Sequence, residues 1–133
     1  MKRATLIFLG MLLTAALAFA GESPLIADPL VAPATGTVTY QRQGNQTRLS
    51  LKVTALKPAS QLKPSPRKVY VVWLQEPNKN WRNLGTLQLN NGRGTLTASV
   101  PSGNMVVLVT AENNPHGNVP AGPEVMQATV LGQ

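Results

Sequence analysis

Apolar and polar residues alternate with a period of two along most of this chain, in short runs broken by Gly, Pro and Asn. TVTYQRQ (Thr37–Gln43) is the first run, and Gly44-Asn45 behind it is a turn signal. TRLSLKVTAL (Thr47–Leu56) sets Leu49, Leu51, Val53 and Ala55 on one face and Ser50, Lys52 and Thr54 on the other, the mark of a half-buried strand. LGTLQLN (Leu84–Asn90) and RGTLTASV (Arg93–Val100) flank Asn91-Gly92, a dipeptide that favours the tight hairpin turn. EVMQATVL (Glu124–Leu131) ends the series. KVYVVWLQ (Lys68–Gln75) and NMVVLVTAE (Asn104–Glu112) are instead apolar on both faces. No segment after Ala20 repeats with a helical period.

Seven strands with turns between them predict an all-β fold. The expected form is an antiparallel immunoglobulin-like β-sandwich, with a small barrel as the alternative. In such a sandwich the two doubly apolar strands, third and sixth, are neighbours in the middle of one sheet. The third strand has Val69, Val71 and Trp73 on one face and Tyr70, Val72 and Leu74 on the other. The sixth divides into Met105, Val107 and Val109 against Val106 and Leu108. Taking the Trp73 face as core leaves an apolar patch of Tyr70, Val72, Leu74, Val106 and Leu108 on the other side. Large apolar patches mark interfaces. These residues are therefore candidates for partner binding, to be covered by a protein partner, by a second copy of the chain in a homodimer, or by the arm that precedes the strands.

That arm is GESPLIADPLVAP (Gly21–Pro33), with three prolines and no regular period. It reads as an extended segment over residues 21–34, with Leu25, Ile26, Leu30 and Val31 free to dock. Ahead of it Lys2 and Arg3 open an uncharged run, Ala4–Ala20, that ends in the small-x-small pattern Ala18-Phe19-Ala20. This predicts a signal peptide over residues 1–20, cleaved after Ala20, and export to the periplasm or the extracellular space. Retention as an uncleaved anchor is the competing reading and the one route to a membrane. As a helix the run spans about 25 Å, short of the roughly 30 Å hydrocarbon core. No cysteine follows it, which excludes lipid attachment, disulfides and thiol chemistry. The β domain then covers residues 35–133, long enough to bury about two-thirds of its unfolded surface.

Charge adds one feature. Without Lys2 and Arg3 the chain keeps ten basic residues against five acidic ones. Four of the ten, Lys57, Lys63, Arg67 and Lys68, fall in KPASQLKPSPRK. The plain reading is a solvated loop whose charges guard the next strand. The sharper one is a surface for polyanions or anionic headgroups. Nucleic acid is not expected, because no aromatic residue interleaves with these cations to stack bases.

Catalytic and metal chemistry find few residues to use. The one histidine, His116, lies in TAENNPHGNVPAGPEV between the last two strands, with Glu112 and Glu124 at the loop's ends. A metal cluster of these three is conceivable, but a zinc site draws on a richer ligand set than this chain has. A Ser-His-acid site would need His116 as its base, and the G-x-S-x-G elbow is absent. Nothing points to paired carboxylates for glycoside hydrolysis. No catalytic, metal or cofactor site is expected. Trp73, mid-strand among valines, reads as core. Trp81, in the polar turn NKNWRN, is a candidate for stacking on a sugar or a partner, and reads equally well as a ring folded over the end of the sheet. Asn45-Gln46-Thr47 matches the N-glycosylation pattern.

Four short motifs carry a family resemblance: Trp73-Leu74, Leu84-Gly85, Val109-Thr110-Ala111-Glu112 and Pro120-Ala121-Gly122-Pro123. Through them the region from Val69 to Val130 resembles the extracytoplasmic C-terminal domain of anti-sigma-K-type factors. The loop departs from that family where Glu112-Asn113 and His116-Gly117 replace a Glu-Pro and a Gly-Gly. The cytoplasmic sigma-binding domain of such factors has no counterpart between Met1 and Ala4, so sigma inhibition does not carry over. The resemblance implies an exported, non-enzymatic sensing or protein-interaction domain. The alternative is a β-sandwich that binds an envelope polymer or glycan through Trp81 and the basic loop. Pro115, Pro120 and Pro123 restrict φ and remove donors, so the Thr110–Val125 segment is expected to be a rigid turn.

Overall fold

A computed structural model describes residues 18–131. Eight strands form it: β1 (Ala18–Ala27), β2 (Thr35–Gln43), β3 (Gln46–Thr54), β4 (Val69–Gln75), β5 (Trp81–Leu87), β6 (Gly94–Pro101), β7 (Met105–Glu112) and β8 (Glu124–Val130). The fold is all-β and antiparallel, and the seven predicted runs correspond to β2 through β8, except that β5 begins at Trp81, inside the expected polar turn, and ends at Leu87 instead of Asn90. The strands make one sheet in the order β5-β4-β7-β8-β1-β2-β3-β6. Both halves of it contribute to one core, with Val38, Leu49, Leu51 and Val53 from one side and Tyr70, Val72, Val107 and Val109 from the other. The free edges, β5 and β6, also approach each other, so the sheet nearly closes.

The eighth strand is the arm. The proline-rich segment was expected to lack regular structure, but β1 runs through it and joins the two halves. Ala18 to Leu25 pair with β2, and Ile26 and Ala27 pair with β8. Proline explains where the change falls. Asp28 N–H donates to the Val125 carbonyl, and in an antiparallel ladder every second residue repeats that direction. Pro24 is due to donate at the next such position after Ile26, but it has no N–H. The ladder with β8 stops at Ile26, and the strand belongs to β2 from there back. Leu25 and Val31 are buried in the shared core, so the arm is structural. Of the predicted signal segment, residues 1–17 lie outside the described residues. Ala18 to Ala20 are the first residues of β1, so the predicted scissile bond falls inside a paired strand.

β4 and β7 are adjacent, as two doubly apolar strands should be. The faces of β4 are the reverse of the expectation, whereas those of β7 are as expected, with Met105, Val107 and Val109 inward and Leu108 outward. Tyr70, Val72 and Leu74 face the main core together with Met105, Val107 and Val109. Val71, Trp73 and Leu108 form a second, smaller cluster on the outer side. The register gives the reason: Trp73 sits opposite Leu108 and Val72 opposite Val109, so Leu108 shares a face with Trp73 and not with Val72.

Antiparallel order also sorts the connections. The long ones, residues 28–34, 55–68, 88–93 and 113–123, all lie at one end, and the tight turns at 44–45, 76–80 and 102–104 at the other. Val31, Leu56, Ala59 and Leu62 close the long-loop end of the core.

Two measurements check this packing. Leu25→Ala should cost about 2–5 kcal/mol in urea denaturation, whereas Ile26→Ala, at a position 66% exposed, should stay within about 0.5 kcal/mol of the parent. The Tyr70 hydroxyl donates to the Lys57 carbonyl at 2.7 Å, and burial pushes its pKa up from 10.0 to about 12. A pKa raised on folding gives stability that is intact below the unfolded value and lost as pH climbs toward the folded one. Stability should therefore fall between about pH 10 and 12. Tyr70→Phe should remove that tyrosine's share of the fall and cost about 1 kcal/mol at neutral pH.

Candidate functional site

The loop of residues 113–123 lies back against the outer side of β4 and β5 and accounts for the burial of Trp73. Thr110 and Glu112 alternate onto that side at the end of β7, and both are buried. Trp73 Nε1–H donates to Thr110 Oγ1 at 2.8 Å. The Thr110 hydroxyl donates onward to Glu112 Oε2 at 2.5 Å. The Glu112 carboxylate then accepts from two loop amides, Ala121 N–H and Gly122 N–H, each at 3.1 Å. A buried carboxylate is tolerated only when its lone pairs are filled, and these three donors fill them. The Ala111 amide adds a backbone bond to the Pro123 carbonyl at 3.0 Å.

The loop has a second tether further along. The Asn83 side-chain amide donates to the carbonyls of Pro115 and Gly117, both at 3.0 Å, while its oxygen accepts from Gly85 N–H at 2.8 Å. Gly85 has φ of +119°, which suits glycine. It follows the bulge in β5 that shifts the register between Val72 and Trp73. Gly122 is required for a different reason, since a Cβ there would run into the Ala111 carbonyl oxygen.

His116 is exposed at the loop's tip, with its amide donating to Asn114 Oδ1 at 3.0 Å. It borders a shallow cleft with Asn83, Thr86, Pro115 and Asn118. Glu112 is committed to Thr110 and the loop backbone, so it does not join His116. Among the described residues no three His, Asp or Glu side chains gather closely enough to hold a metal ion.

The other predicted site residues are spread over the molecule. Tyr70, Val72 and Leu74 are core residues, each at most 2% exposed, which removes them from any partner surface. Val106 is half-buried, and Leu108 packs beside Trp73. Trp81 is half-buried against the Trp73 cluster, opposite Gln75 at the tight-turn end. Lys57, Lys63, Arg67 and Lys68 lie in the connection 55–68 at the long-loop end. Trp81 and the basic loop therefore lie at opposite ends of β4 and do not share a compact site. Sequence reasoning missed Asn83, which has no local signal. It also missed the joint role of Thr110 and Glu112, although a spacing of two on a strand places both on one face.

No protein-family model matches the chain, and no match to it is found among curated proteins or solved structures.

Cutting the tether should release the loop and leave the sheet. Glu112→Ala strands two amides and should cost about 1–3 kcal/mol. Glu112→Gln keeps an acceptor oxygen and should cost less. Gly122→Ala should resemble Glu112→Ala. Hydrogen exchange should show faster exchange at Ala121 and Gly122 in the Ala variants, with the β2–β3 ladder still protected.

Proposed function

We propose that this chain is an exported, non-enzymatic sensing or protein-interaction domain, of the kind implied by its resemblance to the outer module of anti-sigma-K-type factors. The observation that carries this reading is the convergence of three of the four motifs. Trp73, the Thr110–Glu112 pair and the Ala121-Gly122 amides belong to one hydrogen-bonded chain. Their polar groups are used to hold a loop still, and this is what a presented surface requires. A fixed loop loses little conformational entropy when a partner binds. What it presents is Asn113, Asn114, His116, Asn118 and Val119, and Val119 is 59% exposed. A rim of amides around one exposed aliphatic residue suits a protein surface better than a reacting substrate.

Export fits a chain without thiols, and the placement of Ala18–Ala20 adds a condition. Cleavage after Ala20 has to act on the extended segment before β1 pairs with β2, because the bond lies between residues opposite Gln41 and Tyr40.

A photo-crosslinking residue at Val119 tests the interaction reading in the native host. One discrete adduct is expected from Val119 and none from Thr97, an exposed residue of β6. Asn83→Ala unties the loop and should weaken the adduct about tenfold, the loss of one to two hydrogen bonds. The same adducts from both positions, or none from Val119, would overturn the reading.

A further inference from the structure

The connection 55–68 combines a fixed backbone with cations that have no acidic partner. Its apolar residues Leu56, Ala59 and Leu62 are buried. Its amides are tied at several points: Leu56 N–H to the Gly92 carbonyl, Leu62 and Arg67 N–H to the Ala59 carbonyl, and Lys68 N–H to the Glu112 carbonyl. The Lys57 carbonyl accepts the Tyr70 hydroxyl. Lys57, Lys63, Arg67 and Lys68 therefore project from an anchored frame, and the bond to Gly92 places Arg93 beside it.

The carboxylates are engaged, elsewhere or unpaired with these cations. Glu76 pairs with Arg82 at the tight-turn end. Glu112 is taken by Thr110 and the loop amides. Asp28 caps the Leu30 amide, Glu22 lies on β1, and Glu124 opens β8 at the long-loop end without pairing with any of these cations. Among the described residues, none of these five cations makes an ion pair.

The shape of the patch and its neighbours narrow the ligand. Neither Lys57, Lys63, Arg67 nor Lys68 lines any of the three principal clefts. Five cations spread over two connections suit an extended polyanion better than a small anion. No aromatic residue stands in the loop to stack bases, and Tyr70 is buried with its hydroxyl bonded. Leu56 and Leu62 are turned inward, so no large apolar side chain is left to enter a bilayer. We propose that Lys57, Lys63, Arg67, Lys68 and Arg93 form a binding surface for an extended anionic polysaccharide, carboxylated or sulfated. This surface is separate from the 113–123 loop and does not depend on the protein-interaction reading.

Binding of the full-length chain to alginate and to heparin tests it, with single-stranded DNA and phosphatidylglycerol vesicles as the competing arms. Affinity for a polysaccharide should fall steeply between about 50 and 200 mM salt, as charge-driven binding does. The pair Lys63→Gln/Lys68→Gln, at exposed positions, should weaken binding about tenfold, and Lys57→Gln/Arg67→Gln at least as much. Arg42→Gln/Arg48→Gln, on β2 and β3, should change it less than about twofold. Circular dichroism checks that each variant is folded, and the exposed pair keeps the test valid if Arg67→Gln unfolds. The proposal is overturned by equal losses in both regions, by no polysaccharide binding at low salt, or by preference for DNA or vesicles.

Discussion

β4 and β7 are apolar on both faces, and two-sided burial is the constraint from which the rest of this structure follows. A sheet with one wet face can leave alternate residues in water, but Val71, Trp73 and Leu108 cannot be left there without a large apolar surface. The inner faces are covered by the other half of the sheet together with Leu25 and Val31. The outer faces are covered by a loop with almost no apolar side chains of its own. It is held by polar tethers, Glu112 at its base and Asn83 at its tip. Burying a carboxylate is what makes that cover possible, because a backbone rich in proline offers few strand-like bonds with which to dock.

The same economy runs through the long-loop end. Two of the long connections do structural work on the side facing the core: Val31 and Ala34 from one, Leu56, Ala59 and Leu62 from another. Their polar or charged residues then face outward on a backbone that cannot drift. The molecule has two distinct displays, an amide-rimmed loop beside Trp73 and a cationic loop beyond β3. They lie on different connections, joined only where the Lys68 amide donates to the Glu112 carbonyl.

The proposed cleavage after Ala20 would be linked to folding through β1. Its N-terminal part belongs to the β2 ladder and its C-terminal part to β8, so one strand joins the two halves of the sheet. A chain cut after Ala20 keeps Gly21 to Ala27 and hence the whole β8 contact and most of the β2 contact. A cut a few residues further on would remove Leu25 from the core and separate the halves.

Strand number and placement for β2 to β8 are local properties, and the sequence by itself determined them except at β5, which runs Trp81–Leu87 and not Leu84–Asn90 because pairing with β4 draws Trp81 to Asn83 into the ladder. Period-two alternation in Leu49–Val53 or Leu96–Val100 admits one pleated reading, and Asn91-Gly92 and Pro101-Ser102-Gly103 end strands by their own backbone preferences. The adjacency of β4 and β7 was legible too, since only central strands can afford two apolar faces. Tertiary structure alone decided which face is which. Val71 and Val72 are equivalent as side chains, and only the register with β7 and the position of a distant loop separate them. β1 was hidden because Pro24 and Pro29 mask a weak alternation that becomes a strand only when β2 and β8 supply partners. The loop's role stayed hidden for the same reason: Thr110, Glu112 and the proline-glycine segment are visible as motifs, but a hydrogen bond between residues ten positions apart is visible only in space.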